Sequence, residues 1–105
     1  MKSEMIEKMT MMIGHAGEAK SLYMEAIKEA KNGCFGLAEE KMRKAKEEYL
    51  VAHRVHADLL QRYAKGEEVE TDFLQVHAQN HLLSAEMAGY FAKEIVDLWK
   101  ERGNL

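Results

Sequence analysis

The sequence contains no proline, a single cysteine and no long apolar run. The absence of proline favours long helices, because proline is the residue that breaks a helix most strongly. Cys34 alone can form neither an intrachain disulfide nor a cysteine-based zinc site, and this fits a reducing compartment. No apolar run approaches the roughly 20 residues needed to span a bilayer, and the first eight residues do not resemble a secretory signal. We expect a cytoplasmic protein without direct membrane insertion.

The sequence also lacks an excess of positive charge. The formal net charge is −3, and the last third of the chain is its most acidic part. Proteins that bind nucleic acid concentrate Lys and Arg on one face, and a membrane-surface helix needs the same bias. The charge pattern therefore argues against both functions.

Apolar residues recur at steps of three and four, which predicts an all-α protein. The first stripe is Met5, Met9, Met12, Ala16, Ala19, Tyr23, Ala26 and Ala30. The second is Ala38, Met42, Ala45, Tyr49, Ala52, His56, Leu59 and Tyr63. Gly33 and Gly66 are natural helix stops, and Thr71 is a good N-cap for a third helix. The predicted helices span about residues 3–33, 36–65 and 72–102.

Links of only a few residues join these helices, so neighbouring helices should be antiparallel. The expected fold is an up-down-up three-helix bundle that forms one domain over residues 1–105. Gly14 and Gly17 interrupt the first helix, each at a cost of up to about 1 kcal/mol relative to alanine. A bend or, preferably, the close approach of another helix would explain them.

The third helix contains an unusual polar group within an apolar stripe. At 100° per residue, one side carries Phe73, His77, Asn80, Ser84, Met87, Phe91, Ile95 and Leu98. We expect this side to face the core, so that His77, Asn80 and Ser84 form a buried polar notch. Buried polar groups need partners, and a structural histidine is the ordinary interpretation of such a notch.

Three kinds of chemistry compete with that interpretation. His77 and His81 have the spacing of helical zinc ligands, as do His53 and His56, but Ala78 stands where a zincin needs glutamate. Cys34 lies at a helix junction without an adjacent base, which argues against a nucleophilic thiol. A neutral imidazole can instead attack phosphorus, with donors such as Gln79 meeting the phosphoryl oxygens.

Three colinear segments resemble one family. Val76-His77-Ala78-Gln79-Asn80-His81-Leu82 is similar to VHAQDHLM, the signature of the lactose/cellobiose IIA family of the sugar phosphotransferase system. The segment from Ile13 to Ser21 resembles the family pattern I-x-x-A-G-D/E-A-R/K-S. The second helix, with Ala52-His53 and the closing turn Gly66-Glu67, is similar too.

The resemblance implies a homotrimer of three-helix bundles with a phosphorylated histidine near an intersubunit cleft. The matching residue is His77, with Gln79 binding the phosphoryl group and His81 as a neighbour. Members of this family accept phosphate from the general carrier HPr and pass it to a cysteine of the IIB component. IIB then phosphorylates a β-linked disaccharide that the membrane component IIC imports. Lactose, cellobiose and diacetylchitobiose all remain open.

One position departs from the family. Asn80 stands where the family usually has aspartate, three of which surround a divalent cation on the trimer axis. Without a cation, two such charges about 4 Å apart would repel by roughly 4 kcal/mol at an effective dielectric constant of about 20. We therefore expect a trimer that needs neither metal nor another cofactor.

Two rival functions remain at this point. One is a non-catalytic interaction module whose polar notch sets the register of an oligomer, and the other is a histidine-based metal-binding bundle. The roles of His15, His53, His56 and Cys34 stay open, as do the surfaces that would dock HPr and IIB.

Overall fold

The computed structural model describes residues 2–103 and is all-helical over that range. Helix α1 spans Lys2–Lys31, α2 spans Phe35–Ala64 and α3 spans Phe73–Gly103. These bounds confirm the three predicted helices to within two residues at each end. The molecule is elongated, with principal extents of 56 × 22 × 18 Å. Within residues 2–103 no helix has the length and apolarity that a membrane span requires.

Both glycine stops are confirmed by the backbone. Gly33 and Gly66 have φ values of 80° and 92°, a left-handed conformation that glycine adopts without steric cost. At the first stop, the backbone N–H of Cys34 donates to the carbonyl of Glu29 at 2.9 Å, and that of Gly33 donates to Ala30 at 3.0 Å. Equivalent bonds close α2. The two helices therefore end in the same glycine-dependent motif.

The start of α3 differs from the prediction by one residue. Asp72, and not Thr71, is the N-cap: its Oδ1 accepts a hydrogen bond of 2.9 Å from the backbone N–H of Gln75. Its carbonyl accepts another, of 3.1 Å, from Val76. Both side chains can cap a helix, but a carboxylate also interacts favourably with the positive end of the helix dipole.

Small side chains dominate the core that joins the helices. Helix α1 packs extensively against both other helices, which contact each other less. Lys8 lies 3.9 Å from Asp58, and Lys41 lies 2.8 Å from Glu25, so the start of α1 is beside the end of α2. The buried alanines let helix backbones approach closely, and they are Ala16, Ala19, Ala26, Ala30, Ala38, Ala45, Ala52, Ala78, Ala85 and Ala92.

The predicted close packing at Gly14 and Gly17 is wrong within the subunit. A Cβ built on either residue has no atom from another part of the chain within 4 Å. The close approach occurs at Gly89 of α3, where a Cβ would lie 2.8 Å from the ring of Tyr23 in α1. Spacing along one helix does not show which of its glycines faces a large side chain of another helix.

The predicted core side of α3 is also wrong within the subunit. The exposed fractions of Phe73, Phe91 and Leu98 are 86%, 59% and 61%. His77 and Asn80 are exposed, and Ser84 is half-buried, so no buried polar notch exists in the subunit. The side that is buried instead carries Gln75, Ala78, Leu82, Ala85, Ala92 and Val96. Helix α3 has two apolar sides, and the alanine-rich one allows closer packing against α1.

Candidate functional site

His77 lies in the second turn of α3 on the exposed side of the helix. The ring of Phe73, one turn earlier, stacks on its imidazole with 6.3 Å between centroids and 5° between planes. This stacking uses the face of the ring and leaves its edge, which carries both nitrogens, free for hydrogen bonding. The arrangement therefore holds the imidazole at the surface in one plane.

His81 completes a histidine pair. Its Nε2 lies 3.2 Å from Nε2 of His77, and the two rings meet edge to face with centroids 4.5 Å apart. In a hydrogen bond between neutral imidazoles, one nitrogen carries the hydrogen and the other accepts it. When His81 donates, the hydrogen of His77 is on Nδ1 and its Nε2 keeps the lone pair that a nucleophile needs.

Gln79 does not join this pair within one subunit. It is two residues from His77, and side chains two apart do not face each other on a helix. Gln79 instead lines a cavity of about 270 Å³ between α2 and the start of α3. Of the three predicted site residues, the structure brings His77 and His81 together and directs Gln79 elsewhere.

The cavity beside Gln79 has polar and apolar walls. Its polar lining comes from His56, Thr71, Gln75 and Gln79. The apolar and aromatic residues that line the rest are Met9, Met12, Leu59, Leu60, Tyr63 and Val69. The Nε2 of Gln75 is fully buried and has no hydrogen-bond partner among the described residues. A buried unsatisfied donor of this kind costs about 1–3 kcal/mol.

A second polar cluster lies in a groove of about 660 Å³ between α2 and α3. The carboxylate of Glu86 accepts hydrogen bonds from Tyr49 at 3.1 Å and from Tyr90 at 3.3 Å. Burial, helped by the bond to Glu86, raises the pKa of Tyr49 to about 12. Sequence reasoning missed this cluster. The sequence shows the four-residue spacing of Glu86 and Tyr90 on α3. It does not show that Tyr49 of α2 lies beside them.

The other histidines and the cysteine have separate surroundings. His15 Nδ1 lies 2.8 Å from the carboxylate of Glu48, while His53 lies beside the ring of Tyr49. The thiol of the exposed Cys34 makes only a weak polar contact within residues 2–103, at 4.0 Å from the backbone carbonyl of Asn32. None of these contacts joins the His77–His81 pair, although His56 lines the cavity beside Gln79.

The described part of one subunit contains no cluster of three or more His, Cys, Asp or Glu side chains that could hold a metal ion. His77 and His81 supply two nitrogens without a third ligand, and His53 and His56 do not extend that pair. The histidine-based metal bundle that the spacing left open is therefore absent from the single subunit over residues 2–103.

The chain matches a known family along most of its length. Residues 7–100 match the family model described as "PTS system, Lactose/Cellobiose specific IIA subunit". The lichenan-specific phosphotransferase enzyme IIA component of Bacillus subtilis is 39% identical over 101 residues, which cover 96% of this chain and 92% of that protein.

Two solved structures are similar in fold and sequence. The cellobiose-specific enzyme IIA of Bacillus anthracis superposes with a TM-score of 0.89 and 38% identity, over 93% of this chain and 90% of that one. PtcA from S. mutans superposes with a TM-score of 0.92 and 34% identity, over 95% of this chain and 98% of that one.

Proposed function

Because the chain belongs to the lactose/cellobiose-specific IIA family of the phosphotransferase system, we propose that it is a phosphocarrier with His77 as its phosphoacceptor. The observation that carries this proposal is the exposed His77 imidazole, stacked on Phe73 and paired with His81 through Nε2 atoms 3.2 Å apart. A carrier needs a nucleophilic nitrogen that two different proteins can reach in turn. An exposed ring in one fixed plane meets that need.

The transfer chemistry requires little from the protein. An unprotonated nitrogen of His77 attacks the phosphorus of a donor phosphohistidine on HPr, and a new N–P bond forms as the donor N–P bond breaks. The electron pair of the broken bond returns to the donor ring. In the second transfer, a IIB cysteine thiolate attacks the same phosphorus and the electron pair returns to His77. Positioning and charge stabilisation supply most of the catalysis in such reactions.

His81 can serve both states of the carrier. With hydrogen on Nε2, it donates to Nε2 of His77 before transfer, across the observed 3.2 Å. After transfer, the same hydrogen can turn to a phosphoryl oxygen, and such charge-assisted bonds are stronger than neutral ones. His81 is thus a neighbour that helps His77 and is not the acceptor.

We also propose that the subunits are up-down-up bundles that assemble as homotrimers. The support is the exposed apolar stripe along α3, which includes Phe73, Met87, Phe91 and Leu98. Long exposed apolar patches are unusual on monomers and usually indicate an interface. The stripe also contains the exposed Asn80, which puts three amides near the axis of a trimer built on this face.

The proposed pathway runs from HPr through this chain to IIB and the membrane component IIC, with this chain as one cytoplasmic domain. The proposed cargo is a β-linked disaccharide. The relatives named above include proteins described as specific for lichenan and for cellobiose, which supports a β-linked cargo. A carrier never touches the sugar, so its own residues do not select among these disaccharides.

Phosphoryl transfer to the purified protein tests the proposal directly. The protein is incubated with phosphoenolpyruvate, enzyme I and HPr, and its intact mass is measured. We expect an acid-labile gain of one phosphoryl group, absent from His77→Ala and retained by His81→Ala. A protein that gains no phosphoryl group would be the non-catalytic interaction module instead, and labelling of His77→Ala would contradict the acceptor assignment.

A further inference from the structure

The cluster of Tyr49, Glu86 and Tyr90 lies apart from the proposed phosphoacceptor. Glu86 follows His77 by nine residues, which puts it about 14 Å further along α3 and on the opposite side of the helix. The groove that holds the cluster shares no lining residue with the cavity beside Gln79. The transfer chemistry proposed above does not use any side chain of this cluster.

Glu86 is the carboxylate of this groove that lacks a cation. The other three carboxylates that line the groove belong to ion pairs of 2.7–2.8 Å, namely Glu47–Arg43, Asp97–Lys93 and Glu39–Lys100. Among the side chains that the structure describes, Glu86 forms no ion pair and accepts hydrogen bonds from Tyr49 and Tyr90. A carboxylate has about four lone-pair positions for hydrogen bonds, so both oxygens of Glu86 can accept further donors.

Three aromatic rings line the groove together with Glu86. They belong to Tyr23 of α1, Tyr49 of α2 and Tyr90 of α3. Gly89 brings α3 against the first of these rings, since a Cβ at this position would lie 2.8 Å from it. The faces of aromatic rings carry partial negative charge and attract organic cations. The rings and the carboxylate therefore favour the same kind of ligand, a positively charged organic group.

The two phenols hold the Glu86 carboxylate in place. Tyr49 donates to one oxygen at 3.1 Å, and Tyr90 donates to the other at 3.3 Å. Burial, helped by the bond to Glu86, raises the pKa of Tyr49 to about 12, so this phenol keeps its proton at neutral pH. Glu86 is half-buried, whereas Tyr90 is 61% exposed. A ligand from solvent can therefore reach a negative charge whose position is already fixed.

The available ligands suit an organic cation better than a metal ion. Structural zinc takes four ligands and calcium takes about six to eight oxygens, whereas the described residues contain no cluster of three or more His, Cys, Asp or Glu that could hold a metal. The groove, at about 660 Å³, is also much larger than a metal ion requires. An alkylated ammonium ion fills more of this space and buries its carbon atoms against the rings.

We propose that this groove binds a free organic ammonium ion, with its charge beside Glu86 and its alkyl groups against the rings of Tyr49 and Tyr90. The ligand class is a small quaternary or alkylated ammonium, because such ions gain most from aromatic faces. Lys46 is exposed and also lines the groove, so its own ammonium group would compete with the ligand. The inference does not depend on the proposed function of His77.

Titration of the full chain with choline tests the site, with the tyrosine ring signals in NMR spectra as the readout. The control ligand is the neutral carbon analogue of choline, in which a tert-butyl group replaces the trimethylammonium group. We expect saturable choline binding and at least about tenfold weaker binding of the neutral analogue. Equal affinity for the two ligands would show that the groove accepts any apolar group, which would overturn the ammonium site.

Two substitutions with the same change of charge locate the binding. Glu86→Gln retains an acceptor oxygen but removes the negative charge, so the affinity for choline should fall at least about tenfold. Glu101→Gln removes an exposed carboxylate from the same helix outside the groove, and the affinity should change by less than about twofold. Equal weakening by both would indicate general charge attraction and overturn the site. Circular dichroism of each variant verifies that the helices are retained.

Two further variants distinguish other sources of the cation. Lys46→Gln should strengthen choline binding by about twofold or more, because it removes a like charge from the groove. Binding that occurs only in this variant would show that Lys46 fills the site itself. Binding that occurs only in Phe91→Glu, which places a charge on the exposed stripe of α3, would show that another subunit covers the groove. Either result would overturn the proposal, and the role of His77 would be unaffected because the titration involves no phosphoryl donor.

Discussion

Among single residues, Gly89 controls how closely α3 approaches α1. A Cβ at this position would lie 2.8 Å from Cζ and 2.9 Å from the hydroxyl of Tyr23. Tyr23 is only 6% exposed, and at these distances its ring would have to shift to make room for a methyl group. The glycine thus permits this close contact, although it lowers helix propensity.

We expect Gly89→Ala and Gly14→Ala to affect stability in opposite directions. Gly89→Ala should lower the free energy of unfolding by about 1 kcal/mol, because overpacking against Tyr23 outweighs the gain in helix propensity. Gly14→Ala should raise it by up to about 1 kcal/mol, because nothing lies within 4 Å of the new methyl group. Urea unfolding of both variants measures the difference, and equal stabilisation by the two would contradict the close contact at Gly89.

Tyr49 predicts a loss of stability in alkaline solution. Burial and the bond to Glu86 raise its pKa to about 12, so the folded protein holds this proton more tightly than the unfolded chain, where the pKa of tyrosine is about 10. The stabilisation is complete below pH of about 10 and is lost as the pH rises through about 12. The free energy of unfolding of Tyr49→Phe should lack this decrease between about pH 10 and pH 12. Identical dependence of that free energy on pH in both proteins would contradict the raised pKa of Tyr49.

The candidate site was only partly predictable from its residues. His77 and His81 are four apart on one helix, and that spacing alone puts their rings within reach. The same helical geometry directs Gln79 away from them. The bond from Tyr49 to Glu86 joins residues 37 positions apart, and no local pattern indicates such a pair.

Among the helices, α3 differs by having two apolar sides. One is rich in alanine and packs inside the subunit, and the other carries large side chains and remains exposed. The 3.6-residue periodicity identifies both apolar sides but does not show which of them is buried within the subunit. Close helix approach favours the small side chains for the intramolecular contact, which leaves the bulky stripe exposed on the subunit.

A charge placed on the exposed stripe should dissociate the trimer without unfolding the subunit. In Phe91→Glu, a carboxylate without a partner would be buried at the interface, at a cost of several kcal/mol. We expect self-association to weaken by at least about 100-fold, measured by analytical ultracentrifugation, with an unchanged circular dichroism spectrum. Leu37→Glu, at an exposed position of α2, is the matched control and should remain trimeric. Equal behaviour of the two variants would exclude the stripe as the interface.

For the proposed trimer, Asn80 matters because the family resemblance leads us to expect aspartate at this position. Asparagine carries no charge, so three copies on an axis need no cation to offset repulsion. Their amides can donate to and accept from one another. The interface then depends on apolar burial and amide hydrogen bonds alone.

We expect the trimer to survive treatment with a chelator, whereas the trimer of Asn80→Asp should dissociate and then reform when Mg²⁺ is added. The physical reason is the repulsion of roughly 4 kcal/mol per pair of carboxylates that a bound cation removes. Light scattering with and without chelator measures the molar mass of both proteins in solution. Dissociation of the unaltered protein by a chelator would contradict the metal-free assembly.

The amino-acid sequence was sufficient to predict the helices, because their stripes, glycine stops and polar links are local features that act within a few residues. It was also sufficient to identify the family, because three colinear segments carry the resemblance. Contacts between helices were needed to decide which side of α3 is buried, which glycine lies against Tyr23, and which cavity Gln79 lines. These features depend on the shape of the partner surface, which the periodicity of a single helix does not contain.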